Sequence, residues 1–169
     1  MDVDTIIRSY FAGEKSEAML ILLAGVICLV AAVWLWFVVR QPFARGLALS
    51  LLLCAALGLS VGGSVYWRTD SQVRQLLELQ DRDPGRFSAQ EGPRIREVVK
   101  SFKAYRICYA VAVLLALVFV FVMGRPTYHG LAVGLLVLAA LGFTIDYYAE
   151  ARAVDYVRGL EGVGALPRP

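Results

Sequence analysis

Four long stretches without Asp, Glu, Lys or Arg are the feature that most constrains how this chain can fold. They cover residues 18–39, 46–67, 107–124 and 126–145, and therefore contain 22, 22, 18 and 20 residues. A helix needs about 20 apolar residues to cross the hydrocarbon core of a bilayer. Only 18% of the whole chain is charged, against about 25% in soluble domains. The pattern predicts a polytopic helical membrane protein and excludes a soluble enzyme, a secreted disulfide scaffold and a disordered chain.

The predicted fold is an all-α membrane protein, a bundle of four transmembrane helices spanning residues 18–39, 46–67, 107–124 and 127–146. Apolar side chains recur at helical spacing on both sides of Asp83-Pro84-Gly85, which is a turn signal. Residues 68–106 are therefore expected to extend helices 2 and 3 as a cytoplasmic helical hairpin. Ser88 and Glu91 have the spacing of a capping box and predict the start of its second arm. We expect one domain over residues 1–160 and a flexible tail over 161–169.

The distribution of Lys and Arg predicts the orientation of the chain. Fourteen of the 17 basic residues, Arg168 in the tail among them, lie on the side of the termini and the central loop. The other side holds only Arg40, Arg45 and Arg125. Since basic residues accumulate in cytoplasmic loops, both termini are expected in the cytoplasm. Residues 5–13 predict a short amphipathic helix on the inner leaflet, or alternatively a cover for the base of the hairpin.

Charged side chains gather at the inner rim of the predicted spans, and none lies near the middle of a span. A buried charge without a partner is costly, so we expect a collar of ion pairs between the helix ends, in which Asp146 pairs with Arg106 or Arg68. An alternative is a substrate or cation site around Asp146 and Glu150, which share one face of helix 4. The predicted members of the collar are Glu14, Lys15, Arg68, Asp70, Arg106, Asp146, Glu150 and Arg152.

The hairpin carries a second candidate site, a basic surface that is suited to an acidic protein or to anionic headgroups. Its residues are Arg74, Arg82, Arg86, Arg94 and Arg96. The alternative is an ordinary solvated helical face. The charges are mixed and no aromatic residue is interleaved with the arginines, so nucleic acid is not an expected partner. The expected partners are membrane lipids and a protein.

No motif for catalysis, a cofactor or a metal is present. The sequence contains no His-Glu-x-x-His, no Gly-x-Ser-x-Gly and no Walker-type loop, and its single histidine, His129, lies in an outer loop. The three cysteines fall on different helices and are interpreted as packing residues. Gly58-x-x-x-Gly62 and Gly130-x-x-x-Gly134 predict close helix packing within the chain. We therefore expect no enzyme activity, no cofactor and no metal.

Polar motifs along most of the chain resemble those of a family of small bacterial four-span inner-membrane proteins, whose motifs are attached to no known activity. The motifs are Arg8-x-Tyr10-Phe11-x-x-Glu14-Lys15, Pro42-Phe43-x-x-Gly46, Gly62-x-x-Val65-Tyr66-x-Arg68-x-Asp70, Glu91-x-x-Arg94-x-x-x-Val98-x-x-x-Phe102-x-x-Tyr105-Arg106 and Asp146-x-x-Ala149-Glu150-x-Arg152-Ala153-x-x-Tyr156. One departure is Cys108, near a position where the resemblance implies a glutamate. The architecture is also similar to that of membrane-embedded immunity proteins.

This resemblance implies a multi-pass protein of the bacterial inner membrane. Together with the lack of a catalytic motif, it predicts a non-catalytic protein that binds a protein partner. The most concrete version is immunity against a membrane-targeting, pore-forming toxin delivered between bacteria. The alternatives are a small transporter or channel that uses the inner-rim carboxylates and an accessory subunit of a larger membrane complex.

Overall fold

Four long helices make up nearly all of the chain. The computed structural model describes residues 2–167, in which α1 covers Val3–Trp34, α2 Pro42–Arg82, α3 Pro84–Phe121 and α4 Pro126–Gly162. The last turn before the α1–α2 connection, Leu35–Val39, is π-helical. No strand occurs between residues 2 and 167. The predicted all-α fold with four long apolar helices is confirmed, and each helix is long and apolar enough to cross a membrane.

Proline is the first residue of three of the four helices, at Pro42, Pro84 and Pro126. Proline suits this position because the first helical N–H has no partner inside the helix and because the ring fixes φ near the helical value. Only Asp83 separates α2 from α3, and its side chain accepts a hydrogen bond from the Arg86 N–H at 2.9 Å. The predicted capping box at Ser88 and Glu91 is therefore wrong, since α3 has already begun at Pro84.

Small residues hold together the part of the bundle that we call the apolar half, residues 18–39, 46–67, 107–124 and 127–146. A Cβ atom on Gly62 would lie 2.9 Å from the Ala18 carbonyl oxygen of α1. Gly130 packs still more closely on the α2 backbone, where an added Cβ would collide with the Phe43 carbonyl oxygen and lie 2.7 Å from the Leu47 nitrogen. Both glycine motifs thus serve packing within the chain, as predicted.

The helices are not evenly spaced around the bundle. α1 is antiparallel to α2, α3 packs mainly on α4, and α2 and α4 run parallel to each other. No Cα atom of α1 lies within 8 Å of a Cα atom of α3, and α2 and α3 pack only sparingly on each other. A gap between α1 and α3 is therefore left for side chains to fill.

Large apolar side chains fill this gap in the polar half, which comprises residues 2–17, 68–106 and 147–167. The largest of the apolar side chains that are fully buried are Ile7, Phe11, Phe87, Ile95 and Leu160. Residues 5–13 belong to α1 and point Ile7 and Phe11 into this core. A separate amphipathic helix on the leaflet is therefore wrong, because its apolar face is buried within the protein. The alternative, a cover for the base of the hairpin, stays a prediction.

The C-terminal residues also pack on the polar half. Beyond α4 the chain turns through Gly164, buries Leu166 against Gly92 of α3, and places the Pro167 carbonyl oxygen 2.6 Å from an Arg96 nitrogen. The predicted flexible tail therefore differs from the structure over residues 161–167. Arg168 and Pro169 lie outside the described residues.

Candidate functional site

A charged cavity lies where the apolar half meets the polar half. Its volume is about 330 Å³, and residues of all four helices line it. The lining includes three carboxylates and three guanidinium groups, so that its formal charge is balanced. These residues are Glu14, Glu17, Arg68, Arg94, Asp146 and Arg152.

Ion pairs between helices surround this cavity. Lys15 and Arg68 connect α1 to α2, through Asp70 at 2.7 Å and Glu14 at 3.5 Å. Arg106 connects α3 to Glu150 of α4 at 2.7 Å. Arg152 of α4 pairs with Glu17, a residue that was not among the predicted collar members. Seven of the eight predicted collar residues therefore take part in ion pairs that connect different helices.

Asp146 is the predicted collar residue that is not in an ion pair. Its carboxylate accepts a hydrogen bond from the Tyr109 hydroxyl at 2.5 Å, and no Lys or Arg side chain of residues 2–167 lies within 4 Å of it. The predicted pairing with Arg106 or Arg68 is wrong. The antiparallel register of α3 and α4 places Arg106 opposite Glu150, so that Asp146, one turn away, faces Tyr109.

Two buried polar atoms in the cavity wall have no hydrogen-bond partner in the protein. They are Oε2 of Glu14, an acceptor, and Nε of Arg152, a donor. A buried polar group without a partner costs about 1–3 kcal/mol. The two atoms belong to α1 and α4, and the Arg152 side chain packs closely against Gly13 of α1.

The pKa of Glu17 is raised above its ordinary value. Burial is the main cause, and the guanidinium of Arg152 lowers the pKa without cancelling this effect. The carboxylates of Asp146 and Glu14 raise the pKa of Glu17 further. Burial and the neighbouring carboxylates therefore disfavour the charged form of Glu17.

A buried polar network forms the floor of the cavity on the side of the polar half. Glu91 is 1% exposed and receives two hydrogen bonds from Arg94, both at 2.6 Å, and one from the Tyr156 hydroxyl at 3.0 Å. The ring of Tyr10 stacks on Tyr156 with centroids 4.3 Å apart. The bidentate geometry is the strongest form of carboxylate–guanidinium contact, so the network ties α3 to α4 and α1.

Burial shifts the pKa values of this network. It raises the pKa of Tyr10 to about 12, with a further contribution from the Glu14 carboxylate, and it raises the pKa of Tyr156 together with the charge of Glu91. Burial by itself lowers the pKa of Arg94, but the hydrogen bonds and charge of Glu91 more than offset this and raise it. Both tyrosines are therefore neutral and Arg94 is charged at neutral pH.

The five arginines predicted as a partner-binding surface divide into two groups. Arg74, Arg82 and Arg86 are exposed. Arg94 instead faces the interior, and Arg96 binds Glu161 at 3.3 Å and the C-terminal segment. The prediction of one exposed surface is wrong for Arg94 and Arg96, because Arg94 lies on the face of α3 that carries Glu91 and Arg96 lies on another face, which the end of α4 and the C-terminal segment cover.

Sequence reasoning missed the role of Glu91, although a signal was present. Glu91 lies four residues before Ile95 and therefore falls on the apolar face of the α3 arm, where a charge has to be paired. Arg94 stands three residues further on and supplies that pair. An acid within an apolar helical stripe, followed at i+3 by arginine, was the available indication.

The side chains of the described residues determine what the cavity can hold. Within the described part of the chain, no group of three or more His, Cys, Asp or Glu side chains is placed to hold a metal ion. The cavity offers paired charges and aromatic walls, which suit a small polar ligand. Comparison of the chain with protein families, curated proteins and solved structures gives no match.

Proposed function

We propose that the chain is a non-catalytic integral protein of the bacterial inner membrane that acts by binding a protein partner. The observation that carries the proposal is the core of the polar half. Because Phe11, Phe87 and Ile95 bury large side chains there, the polar half has a packed core of its own. We call its outer surface the platform, and this core holds the platform in a fixed shape. A fixed surface loses little conformational freedom when a partner binds.

Exposed arginines mark one end of this platform. Arg74, Arg82 and Arg86 lie on either side of the α2–α3 connection, and none of them is within 4 Å of a carboxylate of the described residues. Unpaired cations on a fixed scaffold attract an acidic surface and orient it. An acidic protein partner at this end is therefore the expected interaction.

The most concrete version of the proposal is immunity against a membrane-targeting, pore-forming toxin delivered between bacteria. A four-helix membrane protein with both termini in the cytoplasm, the orientation that the Lys and Arg distribution supports, would meet such a toxin in the membrane and hold it through the platform. An accessory subunit of a larger complex would use the same surface, and differs only in its partner.

Co-expression with the product of the neighbouring gene tests the immunity version. The wild-type chain should restore growth, and the triple variant Arg74→Gln, Arg82→Gln, Arg86→Gln should fail to do so while still accumulating in the membrane. The matched control replaces Arg8, Lys100 and Lys103, which are equally exposed, and should still protect. A neighbour that is harmless, or equally toxic with and without this protein, would exclude immunity.

Affinity purification from membranes in a mild detergent separates the two kinds of partner. An accessory subunit should co-purify with the same set of membrane proteins whether or not the neighbouring gene is expressed. An immunity protein should retain a partner only when its toxin is present, and the arginine triple variant should lose it.

Transport through the cavity is a second candidate, and the carboxylates of Glu14, Glu17 and Asp146 favour it. Two features weigh against it. The cavity lies at the end of the apolar half, whereas coupled transporters place their sites near the bilayer midplane. Beyond the cavity, α1 and α2 meet backbone to backbone at Gly25 and Gly58. Proteoliposomes in which Asp146→Asn abolishes a wild-type flux would establish transport in place of partner binding.

A further inference from the structure

The wall of the cavity presents both signs of charge to whatever occupies it. The carboxylates of Glu14, Glu17 and Asp146 line it together with the guanidinium groups of Arg68, Arg94 and Arg152. A ligand that matches both signs of charge carries a cationic group and an anionic group. A volume of about 330 Å³ exceeds the ~30 Å³ of a single bridging water and falls at the lower end of the range for ligand pockets.

The residue types in the wall specify the two ends of this ligand. Arg68, Arg94 and Arg152 are guanidinium groups, which favour phosphate because their planar donors match its oxygens. Carboxylates and aromatic rings surround them, with Tyr10, Phe102 and Tyr105 among the lining residues. Carboxylates accept the N–H bonds of an ammonium group, and aromatic faces attract it.

The position of the cavity points to the source of such a ligand. It lies at the boundary of the two halves, in the gap between α1 and α3, and its wall toward the apolar half consists of Ala18, Ile21 and Ile145 among other apolar side chains. Along the apolar half α3 packs mainly on α4 and leaves Leu114 and Val118 exposed. Acyl chains beside these residues would place a headgroup at the cavity.

We propose that this cavity binds the phosphoethanolamine zwitterion, with the phosphate on the arginines and the ammonium group on Glu14 and its neighbouring carboxylates. An ethanolamine phospholipid of the surrounding leaflet is the source that the position favours, and soluble phosphoethanolamine offers the same chemistry. The proposal requires no protein partner, so it stands or falls separately from the proposed function.

Native mass spectrometry of the purified full-length chain in detergent tests the proposal. The protein is titrated with phosphatidylethanolamine, phosphatidylglycerol and phosphatidylcholine of identical acyl chains. Phosphatidylethanolamine should bind about tenfold more tightly than the other two, since one lacks the ammonium group and the other lacks its N–H donors. A parallel titration with soluble phosphoethanolamine distinguishes the sources: displacement of the lipid at low concentration assigns the site to the free zwitterion, and weak displacement assigns it to the lipid.

Substitutions in the cavity wall test whether the preference for phosphatidylethanolamine arises at the cavity. Glu14→Gln should remove the preference for phosphatidylethanolamine over phosphatidylglycerol, and Arg152→Gln should weaken both about tenfold. Lys100→Gln, which is exposed and is not part of the cavity wall, should change neither. Ser101→Leu fills the cavity without removing a charge and should weaken phosphatidylethanolamine binding even if a charge variant fails to fold. Equal binding of the three lipids, or a preference that survives both Glu14→Gln and Ser101→Leu, would overturn the proposal.

Discussion

In the apolar half the buried side chains are small, whereas in the polar half they are large. Ala18, Ala48 and Gly134 are buried between helices in the former, and Phe11, Phe87 and Leu160 are buried in the latter. Most of the large apolar side chains of the apolar half, Leu20 and Ile27 for example, point outward. The same four helices are therefore held together in two different ways.

The difference is the one that physical chemistry requires if the apolar half spans a membrane and the polar half lies in water. Among lipid tails, burying a leucine between helices brings no hydrophobic gain, so helices associate by close backbone approach at small residues. In water the removal of apolar surface drives folding, and large side chains move inside. The change from small to large buried residues occurs at the collar of ion pairs and the cavity. It follows that each half should be sensitive to its own kind of substitution.

The largest expected effect is the loss of a large side chain from the core of the polar half. Phe87 is 0% exposed, so Phe87→Ala should lower the free energy of unfolding by about 3–5 kcal/mol. Leu20 of the apolar half is 66% exposed. Leu20→Ala should therefore change the free energy of unfolding by less than about 0.5 kcal/mol. Unfolding in detergent by added dodecyl sulfate, followed by circular dichroism, measures both. Equal effects would contradict the division into two halves.

The next largest loss of stability is expected when the buried ion pair of Glu91 and Arg94 is broken. Arg94→Met leaves the Glu91 carboxylate buried with only the Tyr156 hydroxyl, and should destabilise the protein by about 3 kcal/mol, at the low end for buried pairs because the Arg94 side chain is 33% exposed. Replacing both residues, as Glu91→Gln with Arg94→Met, should restore part of the loss. The same unfolding measurement applies, and Arg74→Met is the exposed control. A single variant as stable as wild type would refute the importance of the pair.

In the apolar half the sensitive positions should be the close contacts of glycine. A side chain on Gly130 would collide with the α2 backbone, so Gly130→Leu should separate α2 from α4 and cost about 1–3 kcal/mol. Gly162, at the end of α4, has no neighbouring atom within 4 Å of an added Cβ, and Gly162→Ala should be close to neutral. If both variants unfold at the same dodecyl sulfate concentration, small-residue packing is not what holds the apolar half.

Alkaline pH should act selectively on the polar half. The pKa of Tyr10 is raised from 10.0 to about 12 in the folded protein, so the folded state holds its proton more tightly than the unfolded state does. This contribution is complete below pH 10 and is lost as the pH rises toward 12. Tyr10→Phe should reduce the decline in stability over that range, measured by unfolding at several pH values with tyrosinate absorbance in parallel. An unchanged decline in this variant would assign it to other groups.

The smallest effect is expected for an exposed pair of the collar. Arg106 and Glu150 lie 2.7 Å apart with solvent access, and a double-mutant cycle with Arg106→Gln and Glu150→Gln should give a coupling of about 0.2–1 kcal/mol. The coupling should fall further in high salt. A coupling of several kcal/mol would show that the collar, rather than the core, fixes the polar half.

The positions of the four helices could be predicted from the sequence, but the register in which they pack on one another could not. The charge-free stretches predict four long apolar helices, because hydropathy and the absence of charge are local properties. Which residue of α3 faces Asp146 depends on how α3 packs on α4, and local patterns do not encode this; Tyr109 rather than Arg106 takes that place. The position of Glu91 was within reach, since its apolar surroundings on one helix face are visible in the spacing.

The central claim, that the apolar half faces lipid and the polar half faces water, is tested most directly by spin labels at exposed positions of both halves. Labels are attached in nanodiscs at Leu20 and Leu114 of the apolar half and at Gln75 and Arg86 of the polar half, after replacement of the native cysteines. The account predicts relaxation by oxygen but not by a water-soluble nickel reagent at the first two positions, and the reverse at the other two. Equal access of the nickel reagent to Leu20, Leu114 and Arg86 would contradict it.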